Sequence, residues 1–251
     1  MTADTTFSLN LSRQEKRVPS YLAFSFAPDY PFLVHDLRSF LHPNEISYFR
    51  RLEFPLRRTS FLLGRHAAKK ALAAFLQEPD PTQIEICTGT FCQPVVKYSS
   101  LETPELTIAH CHDAAVAIAF QTGHPIGVDL ECIESNRSQV LEGQFTAVEL
   151  QRLKLLQERN EDAYYFLWTA KEALSKAIKC GLTVPFEILE VKEIVQTGRH
   201  AYISSFKNFS QYQAYSWIEY QHVLSVVLPK NTRLEVNPLR ALQAASFVTG
   251  G

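Results

Sequence analysis

Three acidic side chains in the second half of the chain have a spacing that suits metal chemistry. In Gly127-Val128-Asp129-Leu130-Glu131, apolar residues alternate with acids. Because side chains two apart on a strand point to one side, Asp129 and Glu131 are expected to share a face. A third carboxylate, Glu172, follows in a segment that reads as a helix. Carboxylate oxygens are preferred ligands of hard cations, so Asp129, Glu131 and Glu172 predict a magnesium site.

The segment around Glu172 is predicted to be a long helix. Residues 168–176 are rich in Ala, Leu, Lys and Glu, which are good helix formers, and apolar residues recur at helical spacing. Glu172 and Lys176 are four residues apart and therefore share one face of this helix. A plain alternative is that they form only a weak ion pair on the surface, and that Asp129 and Glu131 are a solvated strand edge.

Composition narrows the class of protein. The chain has 251 residues, 46% hydrophobic and 20% charged, which is typical of a folded, water-soluble protein of one large or two smaller domains. Its formal net charge is −1, so no global basic field favours binding to nucleic acid. An anionic ligand must therefore be held by a local cluster of basic side chains.

The cysteines and the apolar segments indicate a cytoplasmic protein. Five cysteines, an odd number with no C-x-x-C pair, favour reduced thiols over a disulfide framework or a zinc knuckle. Residues 1–18 are polar and do not resemble a signal peptide. The longest uninterrupted apolar run, residues 114–120, is far too short to span a membrane.

The order of predicted elements repeats along the chain. Each half is expected to give a strand, a shorter helix, a longer helix and then about three strands. In the first half, residues 33–37 are predicted to be a short strand, and helices are predicted at residues 43–52 and 59–76. Only the second half has Lys-Glu on its long helix, whereas the first has His66-Ala67, so we expect one active site.

The predicted fold class is α+β, with two similar subdomains related by a pseudo-two-fold. Each subdomain is expected to pack a small antiparallel sheet on a long helix, and the chain is expected to be a monomer with an internal pseudo-dimer. A cleft between the subdomains is the default ligand site. The predicted divisions are a loose N-terminal arm (1–20), an N-terminal subdomain (21–125), a C-terminal subdomain with the metal site (126–230) and a peripheral tail (231–251).

Together the two acidic segments resemble a known family. Gly127-x-Asp129-x-Glu131 followed by Trp168-x-x-Lys171-Glu172-Ala173-x-x-Lys176 is similar to the signature pair of the 4'-phosphopantetheinyl transferases. The chain length and the halved layout resemble the Sfp-type, or surfactin-synthetase-activating, group. The element order agrees over about residues 20–230, while the specific likeness is confined to the two motifs.

The resemblance implies a reaction and a metal. Such enzymes transfer the phosphopantetheine arm of coenzyme A, the co-substrate, to a serine of an apo acyl or peptidyl carrier protein, and adenosine 3',5'-bisphosphate leaves. Asp129, Glu131 and Glu172 match the family's ligands of Mg²⁺, for which Mn²⁺ is an alternative. Glu172 also matches the residue often assigned as the base for the serine, although a metal-bound water is an alternative base. The implied catalytic residues are Glu172, Asp129 and Lys176.

The resemblance also implies which residues bind coenzyme A. Lys176 is expected to pair with a phosphate of coenzyme A, and His110 matches a histidine that contacts phosphate. Arg58 lies near a matching basic position before the long helix of the first half. Lys171 falls on the apolar stripe of its helix, so it is expected to anchor either the structure or a phosphate through a buried ion pair.

Two residues depart from the family pattern. Gln93 stands where a nucleotide-binding loop often has lysine, and Ala109 replaces a serine. These changes predict either weaker affinity for coenzyme A or compensation by Arg58, Lys69 or Lys97. They leave two rival functions: a non-catalytic carrier-protein-binding descendant of the fold, and a magnesium-dependent phosphodiesterase acting on another nucleotide. A zinc site at His110, His112 and Asp113 is a weaker alternative, because no further ligands follow at structural spacing.

Overall fold

A computed structural model describes residues 5–99, 103–134, 137–156, 158–219, 221–234 and 238. The chain divides into two compact units, Met1–His124 with Arg233–Gly251, and Pro125–Thr232. The boundary after His124 lies one residue before the predicted one. Of the predicted tail, 231–251, only residues 231–234 and 238 belong to the described part. None of the described helices has both the length and the apolar character needed to cross a membrane.

The described residues of the first unit form strands and three α-helices. Its strands are β1 (Thr6–Ser8), β2 (Leu11–Arg13), β3 (Lys16–Val18), β4 (Ser20–Phe26), β5 (Glu85–Thr88), β6 (Pro94–Lys97), β7 (Glu105–His110) and β8 (Ala114–Phe120). Its helices are α1 (Tyr30–His35), α2 (Pro43–Arg50) and α3 (Pro55–Leu76). Strands β1, β4, β8 and β7 form an antiparallel sheet in that order. Strands β2 and β3 pair as a hairpin, and residues Thr232–Leu234 add a third strand beside β2. Strands β5 and β6 form a separate hairpin.

The long helix α3 packs against this sheet. Small residues on its inner face, Ala67, Ala68 and Ala71, are fully buried and allow close approach to the strands. The helix begins at Pro55 rather than near residue 59, because proline is well suited to a first helical turn. It ends at Gln77, whose backbone is left-handed with φ +54°. Helix α3 and the sheet therefore share one hydrophobic core.

Two sequence-based predictions for this unit differ from the structure. Residues 5–20 are not a loose arm, because β1 pairs with β4 and the side chains of Leu9 and Leu11 are buried. The predicted strand at residues 33–37 is instead occupied largely by helix α1, which has a proline in its first turn and buries Leu33. Short apolar runs fit either a strand or a helix, and here the early proline favours the helix.

The second unit has one larger sheet and a central helix. Its elements are β9 (Gly127–Cys132), α4 (Ser138–Glu142), α5 (Ala147–Leu153), α6 (Asn160–Ala177), β10 (Val191–Gly198), β11 (Ala201–Phe206), β12 (Tyr212–Glu219) and β13 (His222–Pro229). A last short strand, β14 (Thr232–Leu234), follows at the boundary between the units. The five-stranded sheet is antiparallel in the order β10-β11-β12-β13-β9.

Helix α6 packs on the face of this sheet formed by β9, β12 and β13. Phe166, Ala170 and Ala173 are fully buried on its inner side. The closest approach is at Gly127, where an added Cβ would lie 1.8 Å from the carbonyl oxygen of Ala173. The backbones of β9 and α6 therefore touch at this position, and only glycine fits there.

Each unit thus contains helices packed on an antiparallel sheet, so the fold is mixed helix and sheet as predicted. The order of a shorter and then a longer helix is present in both units. The pseudo-two-fold relation between the units remains a prediction.

The contact at Gly127 yields a testable prediction. We expect Gly127→Ala to lower the free energy of unfolding by about 3 kcal/mol or more, because a backbone atom of α6 cannot move aside. Urea denaturation measures this change. Gly198→Ala is the matched control, since its added Cβ would lie 3.7 Å from the Cβ of Ala201, an ordinary contact. Equal stability of the two variants would contradict the backbone contact.

Candidate active site

The three predicted metal ligands lie on β9 and α6, the two elements that touch at Gly127. Asp129 and Glu131 both face the helix. Nζ of Lys176 donates a hydrogen bond to Oδ1 of Asp129 at 2.7 Å. Nε1 of Trp168 donates to Oε1 of Glu131 at 3.2 Å. The alternation along β9 and the helical spacing along α6 therefore bring together residues about 40 positions apart.

The carboxylates of this cluster are poorly compensated. Burial, followed by the charge of Asp129, raises the pKa of Glu131 to about 7. The same two causes raise the pKa of Glu172 to about 7. Asp129 is itself buried, and its Oδ2 has no hydrogen-bond partner among the described residues. Lys176 and, at 3.9 Å from Glu131, Arg137 supply the nearby positive charge.

A divalent cation fits this donor set. Three carboxylates of hard oxygen atoms, one with an unpartnered buried oxygen, meet the coordination preference of Mg²⁺ or Mn²⁺. The raised pKa values of Glu131 and Glu172 show that burial and the charge of Asp129 outweigh the positive charge nearby. The oxygens of the three acids do not all lie within 4.8 Å of one another, so side-chain rotation is needed for all of them to bind one ion.

Lys171 serves the structure and does not face a ligand. Its side chain is fully buried, and Nζ donates to Oε1 and Oε2 of Glu149 at 3.1 and 3.0 Å. Glu149 in turn accepts hydrogen bonds from the backbone N–H groups of Thr146 and Val191. Of the two roles expected for Lys171, the structure supports the buried anchor. Its assignment as a residue that binds coenzyme A is corrected accordingly.

Lys176 and Trp168 complete the second unit's cluster. The Lys176 side chain is 27% exposed, so its ammonium group can reach both Asp129 and solvent. The Trp168 ring stacks on Phe186 with centroids 4.8 Å apart, while its N–H orients Glu131. Sequence reasoning did not predict the contact with Glu131. The signal that was available is the position of Trp168 one helical turn before Glu172.

His110 belongs to a different place, a cavity of about 560 Å³ within the first unit. Three arginines, Arg51, Arg57 and Arg65, and two glutamates, Glu45 and Glu85, also line this cavity. Apolar side chains contribute further lining: Phe61, Ile86 and Ile108. The cavity therefore combines positive charge with apolar surface, which suits a ligand that has phosphates and a flat ring.

The basic residues expected to contact or compensate for coenzyme A binding are mostly engaged elsewhere. Nη1 of Arg58 donates to the carbonyl of Leu52 at 3.0 Å, and its guanidinium lies 4.2 Å from the ring centroid of Phe49. Arg58 does not line the cavity. Lys69 is buried and pairs with Glu45 at 2.7 Å. Arg58 and Lys69 therefore stabilise the first unit, and the cavity's arginines are the residues that sequence reasoning missed.

Gln93, which replaces the lysine of the family loop, shapes its own loop. Its Oε1 accepts a hydrogen bond from the backbone N–H of Phe91 at 2.9 Å, and its carbonyl accepts from Gly89 N–H at 2.8 Å. An added Cβ at Gly89 would lie 2.5 Å from Nε2 of Gln93. The loop therefore closes on the glutamine side chain itself.

Sequence comparisons agree with the location of the acidic cluster. Residues 125–227 match the family model described as the 4'-phosphopantetheinyl transferase superfamily. A protein of Synechocystis sp. (strain ATCC 27184 / PCC 6803 / Kazusa), provisionally named a 4'-phosphopantetheinyl transferase, is 28% identical over 154 residues. That alignment covers 60% of this chain and 62% of the relative, so the chain spans less than two thirds of the relative's length.

Solved structures with partial likeness are holo-acyl-carrier-protein synthases. The Bacillus anthracis str. Ames synthase in complex with CoA (3',5'-ADP) is 23% identical to this chain, with a TM-score of 0.37. The alignment covers 40% of this chain and 91% of the synthase chain. The Plasmodium yoelii synthase is 15% identical, with coverages of 46% and 95% and a TM-score of 0.36. At these TM-scores the likeness carries no argument about function. The match to the superfamily model lies within the second unit, which carries the acidic cluster.

The raised pKa values of Glu131 and Glu172 predict a pH dependence. A carboxyl with a raised pKa holds its proton more tightly in the folded chain, so its contribution to stability is present below about pH 4.5 and is lost as the pH rises through about 7. With chelator present, we expect Glu172→Gln to reduce the loss of unfolding free energy between about pH 5 and about pH 8. Urea denaturation across this range measures it.

The control for this experiment is Glu193→Gln, which changes an exposed glutamate on β10. This variant is expected to follow the wild-type pH profile. If both variants lose the same stability as the pH rises, the acids do not interact as the geometry indicates.

Proposed function

We propose that the chain is a magnesium-dependent 4'-phosphopantetheinyl transferase of the Sfp-type group. It would transfer the phosphopantetheine arm of coenzyme A to a serine of an apo acyl or peptidyl carrier protein, releasing adenosine 3',5'-bisphosphate. The observation that carries this proposal is the cluster of Asp129, Glu131 and Glu172 around Lys176, within the residues that match the family model.

The metal site follows from the acid cluster. Asp129, Glu131 and Glu172 would hold the cation, with Trp168 keeping Glu131 oriented. When bound, Mg²⁺ or Mn²⁺ would neutralise negative charge on the pyrophosphate as the bisphosphate leaves. Lys176 would contribute a further positive charge to a phosphate of coenzyme A, since its ammonium is partly exposed beside Asp129.

Glu172 has the properties of a general base. In the metal-free chain, burial and the charge of Asp129 raise its pKa to about 7, and a bound cation would favour the ionised form that accepts a proton. It would take the proton from Oγ of the carrier serine as that oxygen attacks phosphorus. Asp129 supports this role by raising the proton affinity of Glu172.

The cavity of the first unit is proposed to hold the nucleotide end of coenzyme A. His110 and the three arginines, Arg51, Arg57 and Arg65, would contact phosphate oxygens, and Phe61 offers a surface to the adenine ring. Arg65 is held in place by Nε, which lies 3.1 Å from Oε1 of Glu45. These arginines would supply the positive charge that a lysine in place of Gln93 would have provided.

The rival functions differ from this proposal in specific ways. Gln93 favours a non-catalytic carrier-protein-binding descendant of the fold. The presence of Asp129, Glu131, Glu172 and Lys176 argues against this function. A magnesium-dependent phosphodiesterase would use the same acids and would release products without a carrier protein. We further propose a cytoplasmic monomer without nucleic-acid or membrane partners, on the basis of five cysteines outside any disulfide and a near-neutral charge.

Intact mass spectrometry tests the proposed reaction. After incubation of several apo carrier proteins with the protein, coenzyme A and Mg²⁺, we expect a carrier to gain the mass of one phosphopantetheine. The gain should be abolished by chelator and by Glu172→Ala, because both remove the metal site. Release of products from coenzyme A without any modified carrier would favour the phosphodiesterase. No reaction together with intact carrier binding would favour the non-catalytic descendant.

Substitutions at two adjacent arginines of the first unit, Arg57 and Arg58, are expected to change different properties, ligand affinity and stability. We expect Arg57→Gln to weaken binding of adenosine 3',5'-bisphosphate roughly tenfold, because a charged donor is lost from the cavity. Arg58→Gln should keep this affinity and lower the unfolding free energy by about 1 kcal/mol, because its bonds to backbone carbonyls are lost. Calorimetry and urea denaturation measure the two effects, and the reverse pattern would place Arg58 in the ligand site.

A further inference from the structure

A chain of three buried hydroxyl groups joins helix α6 to the sheet. Oγ1 of Thr169 lies 2.8 Å from Oγ of Ser225, and Oγ of Ser225 lies 2.7 Å from Oγ of Ser216. Thr169 also donates to the carbonyl of Phe166 at 3.1 Å. All three hydroxyl-bearing residues are fully buried. We refer to Thr169, Ser225 and Ser216 as the hydroxyl chain.

Each hydroxyl of the chain has one proton to donate and can also accept. The distances allow an arrangement in which Thr169 donates to the carbonyl of Phe166 and accepts from Ser225, which in turn accepts from Ser216. In this arrangement every hydroxyl donates one hydrogen bond or accepts one within the chain.

The hydroxyl chain lies at the level of the acidic cluster. Ser225 is directly opposite Asp129 in the pairing of β13 with β9, and Ser216 is directly opposite Ser225 in the pairing of β12 with β13. On the helix, Thr169 precedes Glu172 by three residues, so the two share a face. In the hydrogen bond between Thr169 and Ser225, Ser225 therefore lies opposite Asp129, and Thr169 lies one helical turn before Glu172.

Hydrogen-bond satisfaction alone does not account for this arrangement. A buried threonine in a helix can satisfy its hydroxyl on a carbonyl of the preceding turn, as Thr169 does with Phe166. Apolar side chains at all three positions would avoid the cost of burying hydroxyl groups. What the bond between Thr169 and Ser225 adds is a defined distance between the helix and strand β13. The contact of Gly127 with Ala173 defines the same separation at β9.

We propose that Thr169 and Ser225 are positioning residues for the divalent-cation site. Their hydrogen bond holds α6 at the separation from the sheet that lets Glu172 act together with Asp129 on one ion. This inference rests on the cation site of the proposed function and goes beyond it, because neither hydroxyl is a ligand or a catalytic group.

The test measures binding of Mn²⁺ alone by calorimetry, without coenzyme A or a carrier protein. Thr169→Val keeps the shape of the side chain and removes the hydroxyl, whereas Thr169→Ser keeps the hydroxyl. We expect Thr169→Val to weaken Mn²⁺ binding about tenfold, and Thr169→Ser to stay within about twofold of wild type. Ser225→Ala removes the same bond from the strand side and is expected to match Thr169→Val, so the test survives if one variant does not fold.

Ser204→Ala is the control variant. Ser204 is equally buried on neighbouring β11, and its Oγ has no hydrogen-bond partner among the described residues. This substitution should leave Mn²⁺ affinity unchanged. The proposal is overturned if Thr169→Val and Thr169→Ser bind Mn²⁺ equally, even when Thr169→Val has a lower unfolding midpoint. It is also overturned if wild type binds no Mn²⁺. If the variants behave as expected but no carrier is modified, the positioning role stands and the proposed transferase function fails.

Discussion

The close contact of strand β9 with helix α6 is the constraint on which the second unit depends. At Gly127 the strand backbone meets the carbonyl of Ala173, and no side chain fits between them. Two residues further along β9, Asp129 is therefore held within hydrogen-bond distance of Lys176. The same approach places Glu131 against Trp168. The glycine at the start of the acidic motif thus has a structural task, since it brings the acids to the helix.

A buried ion pair in each unit joins the shorter helix to the longer one. In the second unit, Glu149 in the first turn of α5 pairs with Lys171 of α6. In the first unit, Glu45 in the first turn of α2 pairs with Lys69 of α3. Both glutamates also accept a hydrogen bond from the backbone N–H at the start of their own helix. Breaking such a pair leaves a buried charge uncompensated, so each pair commits its two helices to one arrangement.

This shared device is one that the predicted internal duplication would explain, and the two units place different side chains beside it. The second unit places acids and Lys176 beside its buried pair. In the first unit, Glu45 additionally holds Arg65, which lines the cavity. In the first unit, the glutamate of the buried ion pair thus also orients a basic side chain that lines the cavity.

The acidic cluster is held in an electrostatically unfavourable state by the rest of the fold. Burial and the charge of Asp129 raise the pKa values of Glu131 and Glu172, and Lys176 compensates only part of the negative charge. Strongly perturbed pKa values cluster at functional sites. The contacts that hold β9 and α6 together stabilise the second unit and offset the electrostatic cost of the acidic cluster.

The sequence by itself determined the acidic motif, the helix α6 and the mixed helix and sheet class. These follow from local periodicity, because alternation along β9 and helical spacing along α6 involve residues close in sequence. Only the tertiary structure decided which basic side chains line a cavity. Arg58 and Lys171 looked suitable by type and position, yet backbone carbonyls and Glu149 engage them away from the cavity. Arg65 does line the cavity, where Glu45 and the carbonyl of Ile86 hold it. Such partners are distant in sequence, and a charge's role depends on the groups that folding brings next to it.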